Sequence, residues 1–185
     1  MINSHDGNIF FLTDFDDNME GDIILPLIKE IQVQRLRRNG RIDLYINSFG
    51  GYRHLAFQMI SLVENAKREG IVVRTIVPDA AYSAGSILAV TGTPGERYVE
   101  RTAEHLIHYG FTGSAESTPE QVERNYAQKN EGFKKILTHY RKYTNIPDIE
   151  AKMNDDSFYI PATKCIKWGV ADKYMEKFDI GLPND

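Results

Sequence analysis

The chain has 185 residues, 42% hydrophobic and 26% charged, with a net charge of −4. That is the size and balance of one globular domain with its own core. It lacks the basic stripe that phosphate binding needs, which argues against a nucleic-acid partner, and its single cysteine, Cys165, excludes an intrachain disulfide and any multi-cysteine metal site.

"NIFFL" (8–12) reads as a short buried strand. An amphipathic helix follows over about Glu20 to Arg38, carried by Ile23, Ile24, Leu27, Ile28 and Ile31 at three- and four-residue spacing. Pro26 fits only its first turn, so the regular helix starts late, and Asn39-Gly40 is the expected C-cap. "RIDLYIN" (41–47) is the next strand. The turn "SFGG" leads into a second helix from about Tyr52 to Glu69, with Leu55, Met59, Leu62, Val63 and Ala66 inward and Gly70 as its stop. "IVVRTIV" (71–77) is β-branched and reads as an interior strand. "AAYSAGSILAVTG" then turns into a short helix, about Ser83 to Val90. Further strands are expected at Arg97 to Val99 and at Glu104 to Ile107.

The last third begins with a long helix. Thr118 is its N-cap, Pro119 sits at N1, Gln121 completes a capping box, and Val122, Tyr126, Phe133, Leu137 and Tyr140 form a narrow apolar stripe. A small helix at Pro161 to Trp168, stopped by Gly169, and a strand at Val170 to Tyr174 close the chain. Alternating strands and helices predict an α/β fold with a mostly parallel sheet. Ligands in such folds sit beyond the carboxyl ends of the strands, where "SFGG" and "AAYSAGS" both lie.

Four pieces carry chemistry. Ser83 and Ser86 flank Gly85 at a strand-to-helix turn, and a serine there becomes a nucleophile only with a base in reach and a group orienting that base. Locally the two are hard to separate, and A-Y-S-A-G is not a full G-x-S-x-G elbow. His108 ends a short strand, and His105, three residues earlier, points to the opposite face. Asp155 and Asp156 supply adjacent carboxylates, either of which could orient His108. As neighbours of like charge they raise the pKa of one of the pair. The two glycines of "SFGG" can present a bare N–H to an oxyanion.

Together these segments resemble the proteolytic subunit of the Clp protease, ClpP. "LYINSFGG" is similar to that family's "INSPGG" turn and "AAYSAGSILAVTG" to its "AASMGA" nucleophile turn. "LIHYG" is similar to "MIHQP", and "DDSFYIPATKCIKWGVAD" to "DRDxFxSAxEAxxYGLID". The likeness runs from about Ile9 to Tyr174, and the 25 residues from Ser83 to His108 are the family's spacing.

The resemblance implies a ClpP/crotonase-like spiral of ββα units forming one domain over residues 1–185. The head would span about 8–107 and 155–175, and a projecting handle helix about 118–144. It implies Ser83 as nucleophile, His108 as general base, Asp156 as the acid, and the N–H groups of Gly51 and Ala84 as oxyanion donors. Gly50, Tyr109, Gly110 and Phe111 would line the substrate cleft. Ser86 falls where the family has alanine and becomes a packing residue.

The implied activity is a self-compartmentalising serine endopeptidase, a homo-oligomer of one or two seven-membered rings, acting on unfolded polypeptides or short peptides. An AAA+ ATPase unfoldase is the implied partner. The chain has no G-x-x-x-x-G-K-[ST] loop to bind ATP itself, and no cofactor or metal is expected. It lacks a basic-then-apolar leader and an apolar run of about 20 residues, so a cytoplasmic protein without membrane contact is expected.

Three departures from the pattern stand out. Phe49 replaces a proline, Asp155 replaces a ring-linking arginine, and the segment before Ile9 is short for an axial gating loop. They motivate two alternatives, a weak or inactive structural ring subunit and a phage capsid-maturation protease. Crotonase-type thioester chemistry and serine-lysine peptidases share parts of this pattern, but the former needs no Ser-His-Asp set and the latter needs a lysine as base.

Overall fold

A computed structural model describes residues 3–109, 119–154 and 158–176, with backbone alone over 119–130. Strands β1 (Ser4–Asp6), β2 (Ile9–Leu12), β3 (Arg41–Ile46), β4 (Val72–Val77), β6 (Arg97–Val99) and β9 (Lys173–Tyr174) form one sheet in the order β1-β2-β3-β4-β6-β9. Only β1 is antiparallel to its neighbour. A second sheet, in the order β5-β7-β8, joins β5 (Ala80–Tyr82), β7 (Glu104–Ile107) and β8 (Phe158–Pro161). The expected α/β class and largely parallel sheet are both present.

Alternation along the strands sets the two faces of the large sheet. Phe10, Leu12, Ile42, Leu44, Ile46, Val73 and Val77 enter the core beneath the helices α1 (Leu25–Arg35) and α2 (Arg53–Arg68). On the other face the fully buried carboxylate of Asp43 accepts two hydrogen bonds from Arg74, at 2.7 and 2.6 Å, with Arg41 at 3.3 Å. The ion pair repays the desolvation of Asp43 through bidentate geometry. Arg97 of β6 and Asp172, just before β9, form a second fork at 2.9 and 2.5 Å. Asp172 also accepts the N–H of Gly95 at 2.7 Å.

Several boundaries differ from expectation. The first helix is a π-helical turn (Glu20–Ile24) followed by α1, with Pro26 in the first α-turn. Its C-cap is Leu36 rather than Asn39-Gly40. The helix stops early because the side chain of Gln34 turns to accept the Arg41 N–H at 3.1 Å, and only a residue without Cβ could pass the Gln34 carbonyl where Gly40 does. Leu62 is only partly buried, while Ala56 and Ile60 join the inner face of α2. The last strand shortens to Lys173–Tyr174 because Val170 and Ala171 turn into the core.

The long helix α4 (Pro119–Tyr143) is present, and Thr118 lies outside the described residues. From Phe133 onward α4 packs on the core: Ile136, Leu137 and Tyr140 are buried, against the short helix α3 (Ala84–Ala89). A five-residue helix, α5 (Ile149–Met153), and α6 (Ala162–Lys167) complete the fold. Among the described residues no helix is long and apolar enough to cross a membrane.

Candidate active site

Strand β5 ends at Tyr82, and α3 begins at Ala84. Ser83 between them takes φ 51° and ψ −116°, a region that residues with a Cβ rarely occupy. Such a backbone costs on the order of 1–3 kcal/mol and persists only where its surroundings hold it. Two hydrogen bonds do so. The Ser83 N–H donates to the Leu106 carbonyl at 2.9 Å, and the Ser83 carbonyl accepts the Ile87 N–H at 3.1 Å. Ser83 is also the N-cap of α3, a position where a serine hydroxyl commonly binds the helix. Here it makes no capping bond.

The glycine turn is built against this residue. A Cβ on Gly50 would lie 2.8 Å from Cβ of Ser83 and 3.4 Å from its Oγ, and Gly50 has φ 109°. Gly51 has φ 133°, and a Cβ there would collide with the Phe15 carbonyl. The bridge between this turn and Phe15 uses the Gly50 carbonyl (3.0 Å) and the Tyr52 N–H (2.7 Å), so the N–H of Gly51 stands outside it. Gly51 is exposed and Gly50 is buried. Ser48 ties the turn to β5. Its N–H donates to Ala80, its carbonyl accepts from Tyr82, each at 2.8 Å, and its hydroxyl accepts the Gly50 N–H at 3.0 Å. A Cβ on Gly85 would meet Cβ of Ser48 at 3.1 Å, so that glycine lets the first turn of α3 pass close over Ser48.

His108 follows β7 directly. The parallel register Tyr82↔Leu106 puts Ser83 level with Ile107, one residue short of His108, on strands about 4.8 Å apart. Ser83 and His108 thus leave the carboxyl ends of neighbouring parallel strands, and both are half-buried. Asp155, Asp156, Gly110 and Phe111 lie outside the described residues. The chain reaches Phe158 two residues after Asp156, and Phe158 pairs with Ile107, the neighbour of His108.

One expected residue gains a partner and another is buried away from a cleft. Ser86 is buried, as a packing residue is, and its Oγ lies 3.0 Å from Nδ1 of His105, also buried. The replacement for the family's alanine is satisfied by a histidine on the adjacent strand. Burial pushes His105 down to about 3, so the ring is neutral and a weak base. Tyr109 does not offer its side chain to a cleft. It is buried, its ring stacks on Phe133 of α4, and its hydroxyl donates to the Glu150 carbonyl at 3.3 Å.

Other parts of the site were not legible. Phe49 is 64% exposed and packs edge-on against Tyr82, which packs edge-on against Tyr159 and hydrogen-bonds Glu104. Phe49 therefore leans toward β5 and leaves Gly51 open. The roles of Phe15 and Ser48 had no sequence signal beyond their nearness to the glycine turn. Among the described residues no cluster of three metal-binding side chains occurs.

The geometry agrees with comparison to known proteins. The family model described as Clp protease matches residues 4–178. A protein of Streptococcus uberis named ATP-dependent Clp protease proteolytic subunit is 28% identical over 169 residues, covering 89% of this chain and 82% of that protein. Proteins of the same name from Streptococcus sanguinis and Streptococcus pyogenes serotype M1 are 26% and 27% identical over the same shares. With a strained serine at a strand end, a glycine turn pressed on it, and a family match over nearly its whole length, this chain belongs to the Clp protease family.

Proposed function

We propose that this chain is a serine endopeptidase that hydrolyses peptide bonds in unfolded polypeptides or short peptides. Ser83 Oγ attacks the carbonyl carbon while His108 takes its proton. The oxyanion is held by the N–H of Gly51 and of Ala84, the latter a first-turn N–H with no acceptor inside α3. His108 then returns the proton to the leaving amine, and water resolves the acyl-enzyme by the reverse roles. Asp156 orients the imidazole. The observation that carries this reading is the left-handed backbone of Ser83, held level with the end of β7 and against Gly50.

The acid is assigned by alignment on Phe158. The chain carries one residue more between Phe158 and Ala162 than the family pattern, so counting back from Ala162 lands on Ser157. Asp155 is accordingly the control for Asp156. By family resemblance the active form is a ring of seven chains or a pair of such rings, cytoplasmic and fed by an AAA+ unfoldase.

Hydrolysis of a short fluorogenic peptide by the pure protein tests the assignment. Ser83→Ala, His108→Gln and Asp156→Asn should each lower kcat by at least about a hundredfold, and Asp155→Asn by much less. Wild-type activity retained in Ser83→Ala would refute the reading. Native mass tests the assembly, with about 150 or about 300 kDa expected for seven or fourteen chains of 21.1 kDa.

An inactive structural subunit is the competing reading. The exposure of Gly51 and the placement of Phe49 against Tyr82 weigh against it, since the substitution leaves the oxyanion turn uncovered.

A further inference from the structure

Arg53 is the first residue of α2 and stands two positions after Gly51, the proposed oxyanion donor. It is half-buried, and its side chain makes no hydrogen bond or ion pair with any described residue. Its guanidinium lies across the backbone of α4 at Gly132. A Cβ on that glycine would sit 2.8 Å from both Cζ and one terminal nitrogen. Gly132 interrupts an otherwise regular helix, where glycine costs about 1 kcal/mol relative to alanine. What the helix gains is room for the guanidinium. Phe133, the next residue, stacks on Tyr109, which follows His108 directly. The charge of Arg53 is therefore held between the start of α2, two residues past the glycine turn, and α4 at Gly132.

A partly desolvated guanidinium with no counter-ion among the described residues favours the arrival of an anion, and its planar fork matches a carboxylate. Two described acids of this region are already paired. Glu131 pairs with Lys134 on the exposed side of α4, and Glu150 pairs with Arg141.

We propose that Arg53 is a specificity-determining residue that binds a substrate carboxylate at or beside the scissile residue, so that the peptidase prefers substrates acidic at that point. This rests on Ser83 as the nucleophile. A carboxylate in the substrate supplies the counter-ion that no described residue provides, whereas a lysine in that place meets a like charge and is rejected.

The test uses the full chain and blocked fluorogenic peptides differing only in Glu, Gln, Leu or Lys at the scissile residue. A second pair, with free and amidated carboxyl termini, separates side-chain from terminal carboxylates. Wild type should cleave the Glu peptide, or the free-terminus peptide, at least tenfold better in kcat/KM than its neutral partner. Arg53→Leu should erase that ratio while the Leu peptide is cleaved within about threefold of wild type. Arg53→Glu should turn the preference toward Lys. Gly132→Ala keeps the charge and favours the helix, and should lower the ratio by displacing the guanidinium.

Where turnover is too slow to measure, the rate of Ser83 modification by diphenyl phosphonates with acidic or apolar side chains reads the same ratio. An unchanged ratio in Arg53→Leu, or a wild type that prefers Leu to Glu, overturns the proposal and leaves Ser83 standing. Absence of both hydrolysis and modification at Ser83 overturns the nucleophile assignment and this inference with it.

Discussion

Ser86 Oγ and His105 Nδ1 are hydrogen-bonded at 3.0 Å inside the core, three residues after Ser83 and three before His108. This buried serine-histidine pair lies behind the proposed pair of Ser83 and His108, which flank the same helix and strand. The inner one is closed to solvent, and its histidine is too weak a base to activate a hydroxyl. Its work is to fasten α3 to β7 behind the outer pair. Ser86→Ala should leave the outer pair functional and cost about 1–2 kcal/mol, because His105 Nδ1 loses its partner in a buried place. Urea unfolding alongside peptide hydrolysis reads both. Loss of activity in a protein that remains folded would contradict this assignment.

Acid should destabilise the fold through two histidines. Burial pushes His105 down to about 3. Burial also pushes His139 down to about 4, against a hydrogen bond to the Ile87 carbonyl that favours its charged form. In the unfolded chain both titrate near 6.5. Between these values the unfolded chain binds more protons, so stability is complete above pH 6.5 and falls as pH drops toward 4. The loss between pH 7 and pH 5 should be on the order of 2 kcal/mol per histidine. Urea midpoints at the two pH values check it, and the double variant Ser86→Ala, His105→Leu should show about half the wild-type slope. A midpoint independent of pH would contradict the buried, neutral state of these rings.

Gly50→Ala should abolish catalysis without preventing folding. The new methyl would lie 2.8 Å from Cβ of Ser83, at a φ of 109° that alanine resists. Either the glycine turn or the serine must move, and an ångström of misplacement costs about a hundredfold in rate. Far-UV circular dichroism and peptide hydrolysis on the same sample test this. An active Gly50→Ala would show that the turn does not set the position of Ser83.

Asp172→Ala should be among the most damaging surface-proximal substitutions. Burial opposes the charge of Asp172, but Arg97 and the N–H groups of Gly95 and Arg97 hold its carboxyl below the usual range. Removing it strands Arg97, which also donates to the carbonyls of Val90 and Tyr143. The expected loss is about 3–5 kcal/mol, read as a fall in the urea midpoint. A loss below about 1 kcal/mol would mean that the pair behaves as an exposed surface bridge.

The long, periodic elements were legible because hydrophobic spacing alone specifies them, as α2 and the interior strands β3 and β4 illustrate. Strands β1, β5 and β8 were not, since β1 is exposed throughout and the pairing of β5 and β8 is set by partners far along the chain. The early end of α1 came from a side-chain bond of Gln34 to the next strand, which local propensity cannot signal. At the site, Ser83 and Ser86 look alike over five residues. They are separated by a backbone angle at one and a buried partner at the other, both products of the folded sheet. Ser48 and Arg53 were overlooked for the same reason, because their meaning lies in contacts with β5 and with Gly132.

The most direct measurement is the site of covalent modification by a fluorophosphonate probe, read by peptide mass spectrometry on wild type, Ser83→Ala and Ser86→Ala. The proposed mechanism predicts a single adduct on Ser83, absent from Ser83→Ala and retained in Ser86→Ala. An adduct that survives Ser83→Ala, or one found on Ser86, would contradict it.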